Sequence, residues 1–72
     1  MKLPVIQTTK IDQTKAGQMI RELRKKSDVS LRDMAAQMNL SAPFVSDMEL
    51  GRRNWSEEKF ESAQKAIAQL AK

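Results

Sequence analysis

The 72-residue sequence contains no cysteine, no histidine and no tyrosine. The lack of cysteine excludes disulfide bonds and thiolate metal sites, and nothing in the composition indicates an oxidising compartment. No apolar run approaches the roughly 20 residues that a membrane-spanning helix requires. We therefore expect a cytoplasmic protein without a membrane segment.

The same absences limit the chemistry that the chain can perform. The serine, lysine, aspartate and glutamate residues include no nucleophile with a recognisable base and orienting group. A helical domain of this length also has little room for a substrate pocket. We predict that the protein is not an enzyme and that it uses no cofactor and no metal.

Apolar residues recur at helical spacing in the middle of the sequence. Ser30 precedes the first such face, and its hydroxyl can accept a hydrogen bond from a free backbone N–H of the first turn. Asn39 follows the face, and asparagine tolerates the left-handed conformation that ends a helix sharply. A short helix is therefore predicted between these two residues. Its inward face consists of Leu31, Met34, Ala35 and Met38, at positions i, i+3, i+4 and i+7.

A second short helix is predicted directly after this corner. Ser41 can cap its N-terminus, Pro43 is tolerated in the first turn, and Gly51 is expected close to its end. The buried side of its helical wheel consists of Val45 and Met48, flanked by Phe44 and Glu49. The outward row, which a binding partner would contact, consists of Pro43, Ser46, Asp47 and Leu50.

Two more helices complete the predicted bundle. The first lies within residues 15–27 and carries an inward face of Ala16, Met19, Ile20 and Leu23. The last begins after Ser56, which can cap it, and carries an inward face of Phe60, Ala63, Ile67 and Leu70. Trp55 is expected to pack the loop before this helix against it.

The segment before the first helix has only a weak strand pattern, from Leu3 to Ile11, which Pro4 interrupts. We therefore expect an all-α fold, a compact bundle of about four short helices. Residues 1–14 are assigned to a mobile or partner-dependent N-terminal arm, and residues 15–72 to the helical domain.

The formal net charge of +4 is distributed unevenly. Residues 1–32 carry eight basic and three acidic residues, residues 33–51 carry no basic and three acidic residues, and residues 52–72 carry five basic and three acidic residues. Basic groups therefore lie on both sides of the two short central helices. Such an arrangement would suit phosphate contacts on either side of an element placed in a DNA groove, because phosphate contacts supply most non-specific affinity for DNA. Simple solvation of an exposed helix face is favoured for three of them, Arg21, Lys25 and Lys26.

Three sequence segments occur in a characteristic order and spacing. They are A-G-Q-M-I-R-E-L-R at 16–24, S-L-R-D-M-A at 30–35 and V-S-D-M-E-L-G-R-R-N at 45–54. Together they resemble the lambda-repressor-like Cro/XRE helix-turn-helix family, over about residues 15–67. The resemblance implies a compact helical domain whose third helix, here about 41–50, lies in the major groove of DNA.

The resemblance also implies roles for individual residues. Ser30 would contact a phosphate, residues after the terminating glycine would approach the DNA backbone, and early outward residues of the third helix would read base edges. The family commonly pairs residues that correspond to Arg24 and Glu49, and the core-facing position of Glu49 independently requires a partner. The predicted DNA-binding residues are Ser30, Arg32, Ser41, Ala42, Pro43, Ser46, Asp47, Arg52, Arg53 and Asn54.

The base-reading positions differ from those of many family members, which carry glutamine, arginine, asparagine or lysine there. Such side chains match guanine or adenine edges in bidentate geometry. Here Ala42 or Pro43 can pack on a thymine methyl, and Ser46 can donate to several acceptors. Asp47 has three open interpretations: it accepts from a cytosine amino group, it repels phosphates, or it pairs with one of the two arginines after Gly51.

The leading functional prediction is a sequence-selective transcriptional regulator of the bacterial or phage Cro/XRE type, whose partner is double-stranded DNA. The alternative is a protein-interaction module on the same fold, such as an antitoxin or a regulator that binds another protein. The poor set of base-reading residues and the apolar arm residues Leu3, Val5 and Ile6 favour this alternative. A homodimer would have to form through the arm or through the C-terminal end of the last helix.

Overall fold

The computed structural model describes residues 2–7 and 10–71, which form four helices and one two-stranded ribbon. The strands are β1 (Val5–Gln7) and β2 (Lys10–Ile11), and the helices are α1 (Gln13–Lys26), α2 (Leu31–Gln37), α3 (Ala42–Glu49) and α4 (Glu57–Leu70). The predicted bundle of four short helices is confirmed. The predicted ranges 1–14 and 15–72 include positions 1, 8, 9 and 72, which lie outside the described residues.

Each helix begins after a residue whose side chain caps the first turn. α1 begins at Gln13 and not at Lys15 as predicted, because the carboxylate of Asp12 accepts a hydrogen bond from the N–H of Lys15 at 3.0 Å. The three predicted serine caps also accept a hydrogen bond from the N–H three residues later. The distances are 3.0 Å for Ser30, 3.3 Å for Ser41 and 3.1 Å for Ser56. Short polar side chains therefore determine where all four helices start.

The first three helices end with the same backbone geometry. A left-handed residue follows each C-cap, with φ of 56° at Asp28, 61° at Asn39 and 80° at Gly51. This conformation lets N–H groups beyond the helix reach carbonyls of its last turn. After α2, the N–H of Leu40 donates to the carbonyl oxygen of Ala35 at 2.9 Å. The corner predicted at Asn39 is confirmed, and it directs the chain into α3.

The four helices enclose one apolar core. Removing a large apolar side chain from water contributes about 1.5–3 kcal/mol. The largest fully buried side chains are Trp55, Phe60, Ile20, Met34, Met48, Ile67 and Val45. Several predicted inward residues are only partly buried at the edge of the core, namely Met19, Leu23, Leu31, Met38 and Leu70. Val29, buried in the link before α2, was missed because helical periodicity gives no information about a link.

The N-terminal segment forms a short antiparallel ribbon, so it was wrong to discount the weak strand pattern there because of Pro4. Pro4 precedes the first strand and needs no N–H for the pairing, whereas its carbonyl oxygen accepts from the N–H of Asp12 at 2.9 Å. Val5 pairs with Ile11 across the ribbon. Leu3 and Ile11 pack against the core, which attaches the ribbon to the helical bundle.

α1 and α3 approach each other closely at Gly17. A Cβ atom at this position would lie 2.4 Å from the carbonyl oxygen of Glu49 and 2.5 Å from that of Met48. Any side chain here would push the C-terminal half of α3 away from α1. Gly17 therefore permits the backbone contact that seats α3.

Gly17→Ala is expected to lower the free energy of unfolding, because the added methyl group would collide with two backbone carbonyls of α3. Overpacking of this kind costs about 1–3 kcal/mol. Thermal unfolding followed by circular dichroism measures the effect. Gln18→Ala, at the exposed neighbouring position, is the matched control. A Gly17→Ala variant as stable as this control would contradict the close approach.

Candidate nucleic-acid interface

The outward side of α3 forms an exposed row next to the helical corner. Val45 and Met48, on the opposite side, have no solvent exposure, so α3 is held firmly against the core. Ser41 is exposed at the cap, and Ala42 is half-buried in the first turn. The outward row itself consists of the exposed Pro43 and Leu50 and the half-buried Ser46 and Asp47.

One border of this row is formed by the N-terminus of α2 and by α1. Leu31 and Arg21 line a shallow cavity of about 240 Å³ beside α3. The cavity is completed by Arg24, Ser46, Glu49 and Leu50. Ser30 and Arg32, the chain neighbours of Leu31, are both exposed. The predicted contacts of α2 therefore lie next to the outward row and are open to solvent.

The other border is formed by the loop after α3, in which Arg52, Arg53 and Asn54 are exposed. The carboxylate of Asp47 lies 4.0 Å from Nη1 of Arg52 and 3.9 Å from Nε of Arg53. Among the described residues, these two ion pairs are the contacts that bear on Asp47, and they correspond to the interpretation of local pairing. Ion pairs this long and exposed contribute about 0–1 kcal/mol, so both arginines stay available to an external anion.

Phe44 connects this second border to α4. The guanidinium carbon of Arg53 lies 4.9 Å from the centre of the Phe44 ring, and Nζ of Lys59 lies 5.3 Å from it. Both distances are within the roughly 6 Å range of cation–π attraction. Sequence reasoning missed Lys59, because its position beside Phe44 depends on how α4 packs against α3.

A buried ion pair holds the C-terminal end of α3 against α1. Nε of Arg24 donates to Oε2 of Glu49 at 2.8 Å, and Nη2 donates to Oε1 at 3.0 Å. Nη1 donates to the carbonyl oxygen of Val29 at 3.1 Å. The two side chains are 12% and 4% exposed, so this predicted pair lies beneath the surface row and is largely shielded from water.

Trp55 anchors the loop that carries the exposed arginines. The side chain is 2% exposed, its indole Nε1–H donates to the carbonyl oxygen of Met48 at 2.9 Å, and its ring packs edge-on against Phe60. The amide of Gln13 pairs with the Trp55 backbone: Nε2 donates to the carbonyl oxygen at 3.2 Å, and Oε1 accepts from the N–H. The predicted packing of Trp55 is therefore present. Gln13 was missed, because no local pattern distinguishes a glutamine that binds a distant backbone.

The described ranges 2–7 and 10–71 contain no group of three or more potential metal-ligating side chains close enough to hold a metal ion. No helix within those ranges is long and apolar enough to cross a membrane.

The joined helices α2 and α3, with the outward row between two basic borders, define a helix-turn-helix domain. A family model described as helix-turn-helix matches residues 20–70, which is more than half of the chain. The chain belongs to this family, in its Cro/XRE type.

Two known proteins indicate how far the similarity extends. The HTH-type transcriptional regulator DdrOP3 of Deinococcus deserti is 40% identical over 48 residues, which cover 67% of this chain and 37% of that protein. The crystal structure of the clp gene regulator ClgR from C. glutamicum matches with a TM-score of 0.75 and 28% identity, over 78% of this chain and 73% of that one. This chain therefore spans little more than a third of the length of DdrOP3.

Glu49→Ala is expected to lower the melting temperature, because it leaves the guanidinium of Arg24 without its carboxylate partner in a nearly closed site. Removing one member of a buried pair costs about 3 kcal/mol. For a domain of this size, such a loss lowers the melting temperature by at least about 10 °C. Glu61→Ala, on the exposed side of α4, is the control. Equal melting temperatures for the two variants in thermal unfolding would refute a structural role for the pair.

Proposed function

We propose that this chain is a DNA-binding transcriptional regulator that inserts α3 into the major groove. The observation that carries the proposal is the outward row of α3, bordered on one side by Ser30 and Arg32 and on the other by Arg52 and Arg53. Membership of the helix-turn-helix family supports the same function. The relatives DdrOP3 and ClgR are described as a transcriptional regulator and a gene regulator, which agrees with it.

The dimensions of α3 suit the proposed position. An α-helix with its side chains is about 10–12 Å in diameter, which matches the roughly 12 Å width of the major groove. The N-terminal residues of a recognition helix make the base contacts. Ala42 and Pro43 lie in this first turn and can pack on thymine methyl groups, and the hydroxyl of Ser46 follows one turn later.

The two borders of the row supply the phosphate contacts in this proposal. Ser30 and Arg32 would contact one DNA strand beside α2, and the loop residues Arg52, Arg53 and Asn54 would contact the backbone beside α3. Phosphate contacts determine position and affinity, whereas base contacts determine sequence preference. Because α3 carries no glutamine, asparagine or arginine in its outward row, we expect modest sequence selectivity that relies partly on DNA shape.

The proposed regulator is of the bacterial or phage type and acts by occupying its DNA site. If two copies bind together, two-fold symmetry would place the two α3 helices on a palindromic site with half-sites about one helical turn apart. The exposed ribbon or the end of α4 would supply the contact between copies.

The second candidate function is a protein-interaction module on the same fold, such as an antitoxin. The specific observation in its favour is the exposed apolar ribbon, in which Val5 and Ile6 are 57% and 67% exposed. A partner strand could add to the ribbon edge and cover these side chains. This candidate predicts a stable protein complex and no enrichment of DNA sequences.

Selection of bound duplexes from a random DNA library, at two salt concentrations, tests the proposed function directly. We expect enrichment of a short motif, with weaker binding at the higher salt because phosphate contacts release counterions. A library that stays unenriched at both salt concentrations would reject DNA-sequence recognition.

The double variant Arg52→Ala/Arg53→Ala is expected to weaken binding to every duplex and to reduce the salt slope by about two units, because two phosphate contacts are lost. Fluorescence anisotropy at several salt concentrations measures both quantities. The control is Lys25→Ala/Lys26→Ala, which removes the same charge from exposed positions at the end of α1. If both double variants lose the same affinity, the loss reflects the net charge of the protein, and the assignment of phosphate contacts to the loop is wrong.

A further inference from the structure

Two cations lie against one aromatic ring at the flank of α3. The guanidinium of Arg53 and the ammonium of Lys59 are 4.9 Å and 5.3 Å from the centre of the Phe44 ring. Phe44 belongs to the first turn of α3, Arg53 to the following loop, and Lys59 to the first turn of α4. Two positive charges from other segments therefore lie beside the N-terminal end of α3, which is expected to enter the groove.

The position of Phe44 is itself well restrained. Its backbone N–H donates to the hydroxyl of Ser41, and its half-buried side chain packs against the core. A cation attracted to this ring is therefore held at a fixed place relative to α3. An unrestrained arginine or lysine would lose much more conformational entropy when it binds a phosphate.

Arg53 has a second restraint from the same flank of α3. Nε of Arg53 is 3.9 Å from Oδ2 of Asp47, which follows Phe44 by three residues and so lies on the same side of the helix. The ring and the carboxylate therefore both lie beside the guanidinium. The Arg53 side chain is nevertheless 54% exposed, so its remaining N–H groups can donate to an anion.

Lys59 is oriented by the start of α4. Its backbone N–H donates to Oγ of Ser56 at 3.1 Å, which determines the first turn of the helix. Its side chain is half-buried against Phe44, and no ion pair to a carboxylate involves it within residues 2–7 and 10–71. The ammonium charge is therefore not neutralised by a neighbouring group, although Glu57 and Glu58 are close in the chain.

We propose that Lys59 is a further phosphate-contacting residue, and that Phe44 is a positioning residue that holds Lys59 and Arg53 for a DNA phosphate beside the N-terminal end of α3. This inference rests on the proposed function. The proposed phosphate-contacting surface then includes the start of α4 as well as the loop after α3. The ligand is a phosphodiester group of duplex DNA, so the site adds affinity without reading sequence.

Lys59→Gln, compared with Lys65→Gln, tests the first part of the proposal in the full chain. Both variants remove one charge from α4, but Lys65 lies on the side of the helix that faces Gln37 of α2. We expect Lys59→Gln to weaken binding about threefold to tenfold for every duplex and to reduce the salt slope by about one unit. Lys65→Gln should leave both quantities nearly unchanged. Equal effects of the two variants would overturn the assignment of Lys59.

A double-mutant cycle tests the positioning role of Phe44. Phe44→Leu keeps an apolar side chain for the core but removes the ring, and it is expected to weaken DNA binding severalfold in the otherwise unchanged protein. The same substitution should have little further effect in an Arg53→Ala/Lys59→Gln background, because the cations that the ring holds are gone. Equal losses in the two backgrounds would show that the ring acts only through the core. Circular dichroism of each variant identifies any loss that comes from unfolding.

The outcomes separate this inference from the function on which it rests. If the unchanged protein binds no duplex at low salt, the proposed function and the inference both fail. If the protein binds DNA and Lys59→Gln binds with the same affinity and salt slope, only the inference fails. A loss in Lys59→Gln and in Phe44→Leu but not in Lys65→Gln, with the cycle coupled, supports both.

Discussion

The buried ion pair between Arg24 and Glu49 is the contact on which the rest of the surface depends. It ties the C-terminal end of α3 to α1, and the bond from Arg24 to the Val29 carbonyl adds the link before α2. A carboxylate this buried is costly unless it is paired, so the pair favours one seating of α3 over others. Gly17 permits that seating, because it lets the backbones of α1 and α3 touch.

Shape and positive charge come from different parts of the chain. The segment 33–51, which includes α3, contains no lysine or arginine, so α3 supplies an exposed row but no positive charge. Packing places Arg21 at one flank of α3, and it places Arg53 and Lys59 at the other. Such a division suits a protein in which borders contribute affinity and a few small outward side chains contribute selectivity.

Most of the features that were predicted correctly depend on residues close together in the chain. A serine cap bonds to an N–H three residues later, and a left-handed asparagine closes the turn that it follows, so Ser30 and Asn39 could be recognised without a partner element. The ribbon could not be recognised in this way. It depends on a hydrogen bond from the N–H of Asp12 to the carbonyl oxygen of Pro4, which forms only when the chain folds back on itself.

The sequence by itself determined where the helices of the motif begin and end, which side of α3 is buried, and that Arg24 and Glu49 should meet. The helix bounds and the buried side follow from capping and helical periodicity, which act locally or on a single face. The buried carboxylate of Glu49 required a partner, and the family resemblance indicated Arg24. Only the tertiary structure decided that Gln13 fixes the Trp55 backbone and that Lys59 joins Arg53 on the Phe44 ring. The reason is physical: these contacts join distant segments, and their geometry exists only after the core has set the distances between helices.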